Sequence, residues 1–268
     1  QLSERINSLK DILGEMSFED TSKKQGSLSI FKEKVKNISD IILKLQKEIS
    51  ENDSITLKEV HKKFEELNQD NNLIFICVSD HSIAEVAGNI PKGKYIVLHT
   101  SGSTAIETLK QNHRRCGVLY PLQTFTKGIK TDWKKIPICI EGSNKLVVET
   151  LQSIAENIGG PIYKINSKKR QQLHLAAVFA NNFSNACYNM AATLLKKNKI
   201  DFQILLPLID QTALKTHFSS PQQLQTGPAR RDDQKIMKEH LALLNNDKEL
   251  ANVYKQISSY IRHHHQKD

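Results

Sequence analysis

Two hydrophobic rhythms divide this chain near residue 70. Before that point the apolar positions step by threes and fours. Leu2, Ile6, Leu9, Leu13 and Met16 form one such series. Val35, Ile38, Ile42, Leu45 and Ile49 form a second, and Leu57, Val60, Phe64 and Leu67 a third. These periods predict three amphipathic helices. Thr56 with Glu59 makes a capping box at the start of the third. Thr21–Ser29 reads as a polar linker and Glu51–Ser54 as a turn. The apolar stripes need a cover, from a small bundle, the main domain or a partner.

From residue 71 the pattern changes to apolar runs separated by helical segments. Leu73-Ile-Phe-Ile-Cys-Val78 is a continuous apolar run, as expected of a strand covered on both faces. Tyr95–Leu98, Gly117–Tyr120, Ile136–Ile140 and Pro161–Ile165 follow as further strands. Helical patterns lie between several of them, at His81–Ala87, Thr104–Gln111 and Leu146–Ile158. This alternation predicts an α/β layer with a largely parallel sheet. Pro137 places the fourth strand at an edge, because proline cannot donate to a ladder. After Ser167 no strand pattern remains. Residues 168–198 read as one long helix, with three or four more up to Arg262. The predicted organisation is therefore a helical segment (1–70), a Rossmann-like α/β domain with a mostly parallel sheet (71–166) and an all-α domain (167–268).

Composition narrows the class. The chain has 268 residues, enough for two ordinary domains, with 38% apolar and 25% charged residues, as in globular proteins. No apolar run approaches the roughly 18 residues of a membrane span. The chain opens on Gln1 without a basic-then-apolar secretion signal. The four cysteines, at 77, 116, 139 and 187, form no Cys-x-x-Cys pair, and a cytoplasmic setting without a metal site is expected. His263–His265 reads as an exposed tail. Net charge is +9 but unevenly spread. Residues 1–70 hold 12 Lys/Arg against 14 Asp/Glu, which leaves 26 against 15 for the rest. A basic domain attracts anions. The basic residues are scattered and no nucleic-acid motif accompanies them, so a small anionic ligand is favoured over nucleic acid.

Candidate chemistry collects at strand ends, where α/β sheets bind ligands. Ser79 and Asp80 end the first strand, as ligand groups, helix caps or both. His99-Thr100-Ser101-Gly102-Ser103 ends the second, with hydroxyls and amides suited to an anion or a ribose, and capping open to Ser103. His99 is a candidate acid–base group. Tyr120-Pro-Leu-Gln123 ends the third. Gly88–Tyr95 nearly spells a P-loop, but Tyr95 stands at the magnesium-binding position and the run precedes a strand, so a polar turn fits better. Neither a serine-hydrolase elbow nor a zinc-protease spacing occurs. Further on, His174, Asn181 and Asn185 fall at i, i+7 and i+11, which is one stripe of an α-helix. They are either buried amides satisfying the backbone or part of a site. Gln225-Thr-Gly-Pro-Ala-Arg-Arg-Asp-Asp233 is a second polar run, in which Arg231 and Asp233 are either ligand groups or an ion pair.

Val78-Ser-Asp80, His99–Ser103, Tyr120–Phe125, Gln171–Asn185 and Gln225–Asp233 together resemble a family of Rossmann-like proteins without an established reaction. That family is grouped with NADP oxidoreductases and is distantly related to pyrroline-5-carboxylate reductase and the 3-hydroxyacid dehydrogenases. The likeness runs from about residue 72 to 262, in family order. It implies a helical second domain that pairs subunits into a homodimer and closes over the nicotinamide of NADP or NAD. It implies catalytic roles for His174, as proton donor, and for Asn181, as the amide orienting the substrate. The 3-hydroxyacid dehydrogenases carry a lysine where His174 stands. Ser79, Asp80, His99, Thr100, Ser101 and Gly102 fall where the cofactor is bound, and Gln123, Asn185, Gln225, Thr226 and Arg231 where a substrate is.

One family feature is absent. A dinucleotide site opens with strand, G-x-G-x-x-G turn and helix. This chain has no two glycines separated by one residue, and three amphipathic patterns stand in that place. A truncated or rearranged relative, a fusion that lost the cofactor, and a chain whose native N-terminus lies outside this sequence all fit. The implied activity is NAD(P)-dependent oxidation or reduction of a small carbonyl or imine compound. The alternative is a non-catalytic dimeric ligand-binding or scaffold protein on the same fold.

Overall fold

The computed structural model describes residues 73–126, 129 and 131–265. The three helices expected over residues 1–70 lie outside the described residues. The described residues fall into two compact units, the first ending at Ala180 and the second beginning at Asn181.

The first unit is built on five strands in chain order across one sheet. They are β1 (Leu73–Ile76), β2 (Ile96–His99), β3 (Cys116–Pro121), β4 (Ile138–Gly142) and β5 (Ile162–Lys164). Three of the four pairings are parallel, and β3–β4 is antiparallel. Helix α1 (Ile83–Asn89) joins β1 to β2, α2 (Glu107–Lys110) joins β2 to β3, and α3 (Lys145–Ile158) joins β4 to β5. Alternation along β2 explains the layers. Val97 points into a cluster with Ile83, Ala87, Ile106 and Leu109. Ile96 and Leu98 point the other way, against Val147, Leu151, Ile154 and Ala155 of α3. Those four α3 positions form one helical face, so both sides of the sheet are covered. Asn144 caps α3 by accepting from the Val147 amide at 3.1 Å, and Gly159, at φ 90°, ends it.

The expected edge position of the fourth strand is corrected. β4 lies between β3 and β5. Pro137 stands one residue before it, where no ladder amide is required, and its carbonyl accepts from the Leu122 amide. Among the described strands the edges are β1 and β5.

Asn166 caps α4 (Ser167–Ala177) through the Lys169 amide. A π-helical turn, Val178–Phe183, follows directly and leads into α5 (Ser184–Lys197). In the second unit come α6 (Leu206–Lys215), α7 (Pro221–Leu224), α8 (Gln234–Leu243) and α9 (Lys248–His265). His263–His265 closes α9 rather than trailing from it as a free tail. Among the described residues no helix is long and apolar enough to cross a membrane. Cys77, Cys116 and Cys139 are buried in the sheet unit, while Cys187 on α5 is exposed.

Candidate active site

Strands β1, β2 and β3 end on one side of the sheet, and their loops interlock. The loop after β2 folds around a single hydroxyl. Ser101 Oγ accepts from the Ser103 and Thr104 amides and bonds the Thr104 hydroxyl at 3.0 Å. The turn is thus held by Ser101, not by Ser103. Ser103 instead reaches across and donates to Asp80 Oδ2 at 2.6 Å, tying this loop to the end of β1. Ser79 bonds Ser82 within its own turn, at 3.0 Å.

His99, the last residue of β2, is wholly buried. Its Nδ1 accepts from the Ser101 amide at 3.1 Å. Burial above all, and then the Arg170 guanidinium, lower its pKa to about 4, against weaker opposing pulls from Asp80 and the Ala105 carbonyl. His99 is therefore a neutral, turn-shaping ring rather than a group titrating near pH 7. The consequence for stability is direct. The unfolded imidazole takes up its proton near pH 6.5, the folded one only near 4. Between these values the unfolded chain binds more protons, so stability is full above about pH 6.5 and falls as pH drops toward 4. The span corresponds to roughly 3 kcal/mol. Melting curves across this range should show the fall, and His99→Gln should flatten it. Parallel profiles for the two proteins would contradict this account.

A buried ion pair anchors the same loop. Arg170, on α4, is 1% exposed and meets the Glu141 carboxylate at the end of β4. Its guanidinium also donates to the Thr104 carbonyl and to Ser167 Oγ. Ser167 in turn donates to Glu141 at 2.8 Å and accepts from the Ile106 amide at 2.9 Å. Gln171 adds a bond to the Ser103 carbonyl at 2.9 Å. Residues 103–106 are thereby fixed to helix α4.

One turn beyond Arg170 stands His174, half-buried. Its Nδ1 lies 3.2 Å from the Tyr120 hydroxyl, at the end of β3. Burial first, then Cys139 and Asp80, push the Tyr120 pKa up to about 12, so this phenol keeps its proton. Gly102 makes the meeting possible. A Cβ there would stand 2.6 Å from His174 Nδ1 and 2.7 Å from Tyr120 Cζ. The glycine serves close packing of two rings.

Of the residues expected at the site, Ser79, Asp80, His99, Thr100, Ser101, Gly102 and His174 thus gather around the ends of β1–β3. Gln123 lies exposed just beyond β3, its amide oxygen turned back onto the Thr124 amide. Asn181 and Asn185 are exposed. The π turn before Asn185 changes the helical period, so 3.6-residue counting no longer assigns the two amides to the stripe of His174. In the second unit, Gln225 and Thr226 lie in a loop braced by Arg230, which donates to the Gln223 and Gln225 carbonyls. Asp233 caps α8 through the Ile236 amide, and the loop's ion pair is Arg262–Asp232 at 3.2 Å, not Arg231 with Asp233. Arg231 is exposed. Sequence reading placed Tyr120 at a polar strand end without giving its side chain a role, and it missed Arg170, Glu141 and Ser167 as site-forming side chains. Arg170 was within reach, since it stands four residues before His174 and so shares its helical face.

Residues 136–261 match a family described as a domain of unknown function, DUF2520. A putative NADP oxidoreductase from Bacteroides fragilis is 37% identical, with 75% of this chain and 78% of that chain covered and a TM-score of 0.71. A protein from Thermotoga maritima shares the fold at 23% identity and a TM-score of 0.59, covering 73% of this chain and 78% of its own. No curated protein matches the chain. The chain belongs to the Rossmann-like family that these proteins represent, with a mostly parallel sheet and a helical C-terminal region.

Among the described residues nothing forms the pyrophosphate cradle of a nicotinamide dinucleotide. The sequence offers no glycine turn for the pyrophosphate. The hydroxyls of Ser101 and Ser103 and the Asp80 carboxylate are already engaged with the loops themselves. Among the described residues no group of three His, Cys, Asp or Glu side chains is placed to hold a metal.

Proposed function

We propose that this chain carries the substrate and proton-donor side of an NAD(P)-dependent oxidoreductase acting on a small carbonyl or imine compound, with the pyrophosphate loop supplied from outside residues 71–268. The observation that carries the reading is the Tyr120–His174 pair beside the end of β3 in a mostly parallel sheet, on a family member whose Bacteroides fragilis relative is described as a putative NADP oxidoreductase. Reduction of a C=O or C=N group needs a hydride and a proton. The described residues offer the proton, from His174, a residue type suited to general acid work. The test uses the full chain carrying a family-type strand–glycine turn–helix ahead of Asn71. That protein should consume NADPH with small carbonyl or imine compounds, and His174→Gln should slow it by about 10²–10⁴-fold. Turnover unchanged by the substitution would remove His174 from the chemistry.

The missing glycine turn favours a second reading, a binding or scaffold protein that keeps the fold. Both readings share one partner, a second copy of the chain. Helices α5, α6 and α9 contain no buried residue, and Leu206, Leu208, Leu214 and Phe218 are all exposed. Two-fold pairing is the commonest way to cover such surface. Light scattering at micromolar concentration should give the dimer mass, and a strictly monomeric mass would overturn the pairing.

A further inference from the structure

We propose that Tyr120 is a positioning residue that decides which nitrogen of His174 faces a ligand. Its hydroxyl donates to Nδ1, so the neutral ring carries its own proton on Nε2 and presents that N–H outward. The inference rests on the reading of His174 as the proton-bearing group of the site.

The geometry leaves few alternatives. Tyr120 stands on β3, clamped between β2 and β4 and opposite Cys139 in the ladder. The ladder fixes its backbone, and its ring packs against the buried cluster that contains Val97, Ile83 and Ile106. His174 comes from α4, whose own position is fixed four residues earlier by the Arg170–Glu141 pair. The rings meet edge to face, with centroids 6.1 Å apart and planes at 70°. Gly102 leaves room for that approach and for nothing larger. Among the described residues Nδ1 is the hydroxyl's one hydrogen-bond partner, at 3.2 Å. A phenol that keeps its proton has one to give, and an unprotonated ring nitrogen is there to take it. Nε2 makes no hydrogen bond among the described residues and is left for a ligand.

The proton balance follows. A neutral His174 can hydrogen-bond a carbonyl or imine through Nε2–H. It cannot release that proton unless Nδ1 gains one. Taking it from Tyr120 would leave a phenolate, which the raised phenol pKa disfavours. Full transfer to a substrate thus starts from the doubly protonated ring. In that state the phenol oxygen accepts from Nδ1–H, Nε2 gives up its proton, and a neutral ring remains.

Nitrogen-15 NMR of the histidine rings tests this without any turnover, with the His174 signals assigned by their loss in His174→Gln. Over the pH range in which the ring is neutral, the wild type should show a protonated Nε2 and a bare Nδ1. In Tyr120→Phe the two nitrogen shifts should move toward each other, as exchanging tautomers require. A wild-type ring with its proton on Nδ1 would overturn the proposal, and so would a variant spectrum identical to wild type. If the variant fails to fold, the wild-type spectrum decides alone. A fixed Nε2–H ring in a protein that reduces nothing would support Tyr120's role and remove only the oxidoreductase reading.

Discussion

Replacing Arg170 with alanine should destabilise the sheet unit by about 3–5 kcal/mol. The guanidinium is 1% exposed, and Glu141, its partner, is 15% exposed. Removing the cation leaves a carboxylate that is almost out of solvent, with Ser167 as its remaining described donor. Taking away one member of a buried pair costs more than the pair contributes, because the survivor keeps its desolvation penalty. The Thr104 carbonyl loses its donor as well. The companion Arg170→Met/Glu141→Leu removes both charges and should recover much of the loss, so the two changes should be far from additive. Chemical denaturation of the three proteins measures this. A loss below about 1 kcal/mol for Arg170→Ala would mean that the pair is solvent-screened and does not anchor the loop.

The second large effect concerns the cofactor. NADPH titrated into this chain should give weak binding or none. A pyrophosphate needs backbone amides at close range, which a glycine turn permits, and the glycine in the loop after β2, Gly102, is packed against the Tyr120 and His174 rings. The sequence has no two glycines separated by one residue to relieve it. The loops after β1 and β2 add little, since the Ser101 and Ser103 hydroxyls already bond within and between them. Placing a family-type strand–glycine turn–helix ahead of Asn71 should restore saturable binding, seen as a change in nicotinamide fluorescence. Tight binding by the unaltered chain would overturn the argument and point to residues 1–70 or a second subunit as the phosphate site. A folded graft that still binds nothing would favour the scaffold reading.

The sheet was legible because its strands are apolar on both faces. Val97 and Leu98 serve opposite clusters, and only a covered strand tolerates that pattern. The place of β4 was not legible, because Pro137 lies one residue outside the ladder and boundaries are the weakest part of any pattern reading. The strand-end site was legible in outline: His99–Ser103 and His174 are where the motifs put them. Their roles were not. A histidine between an apolar strand and a serine turn reads as reactive until burial shows it to be neutral. Arg170 closes a Lys-Lys-Arg run at 168–170; its spacing from His174 puts it on the site's helical face, and tertiary contact shows it to be the buried member of the three. The π turn at Val178–Phe183 has no signature in apolar spacing, so counting by 3.6 ran through it unchecked.

The thiols provide a built-in gauge. Three of the four are sealed in the sheet unit, and burial raises the pKa of Cys116 and Cys139 further from reactivity. Cys187 alone meets solvent. A thiol-reactive dye should therefore mark the native chain once, on helix α5, with no engineered cysteine. Unfolding exposes the other three, so the number of reacting groups per chain reports the state of the sheet. The same label rides on a helix proposed to face a second copy, where its emission would register subunit exchange.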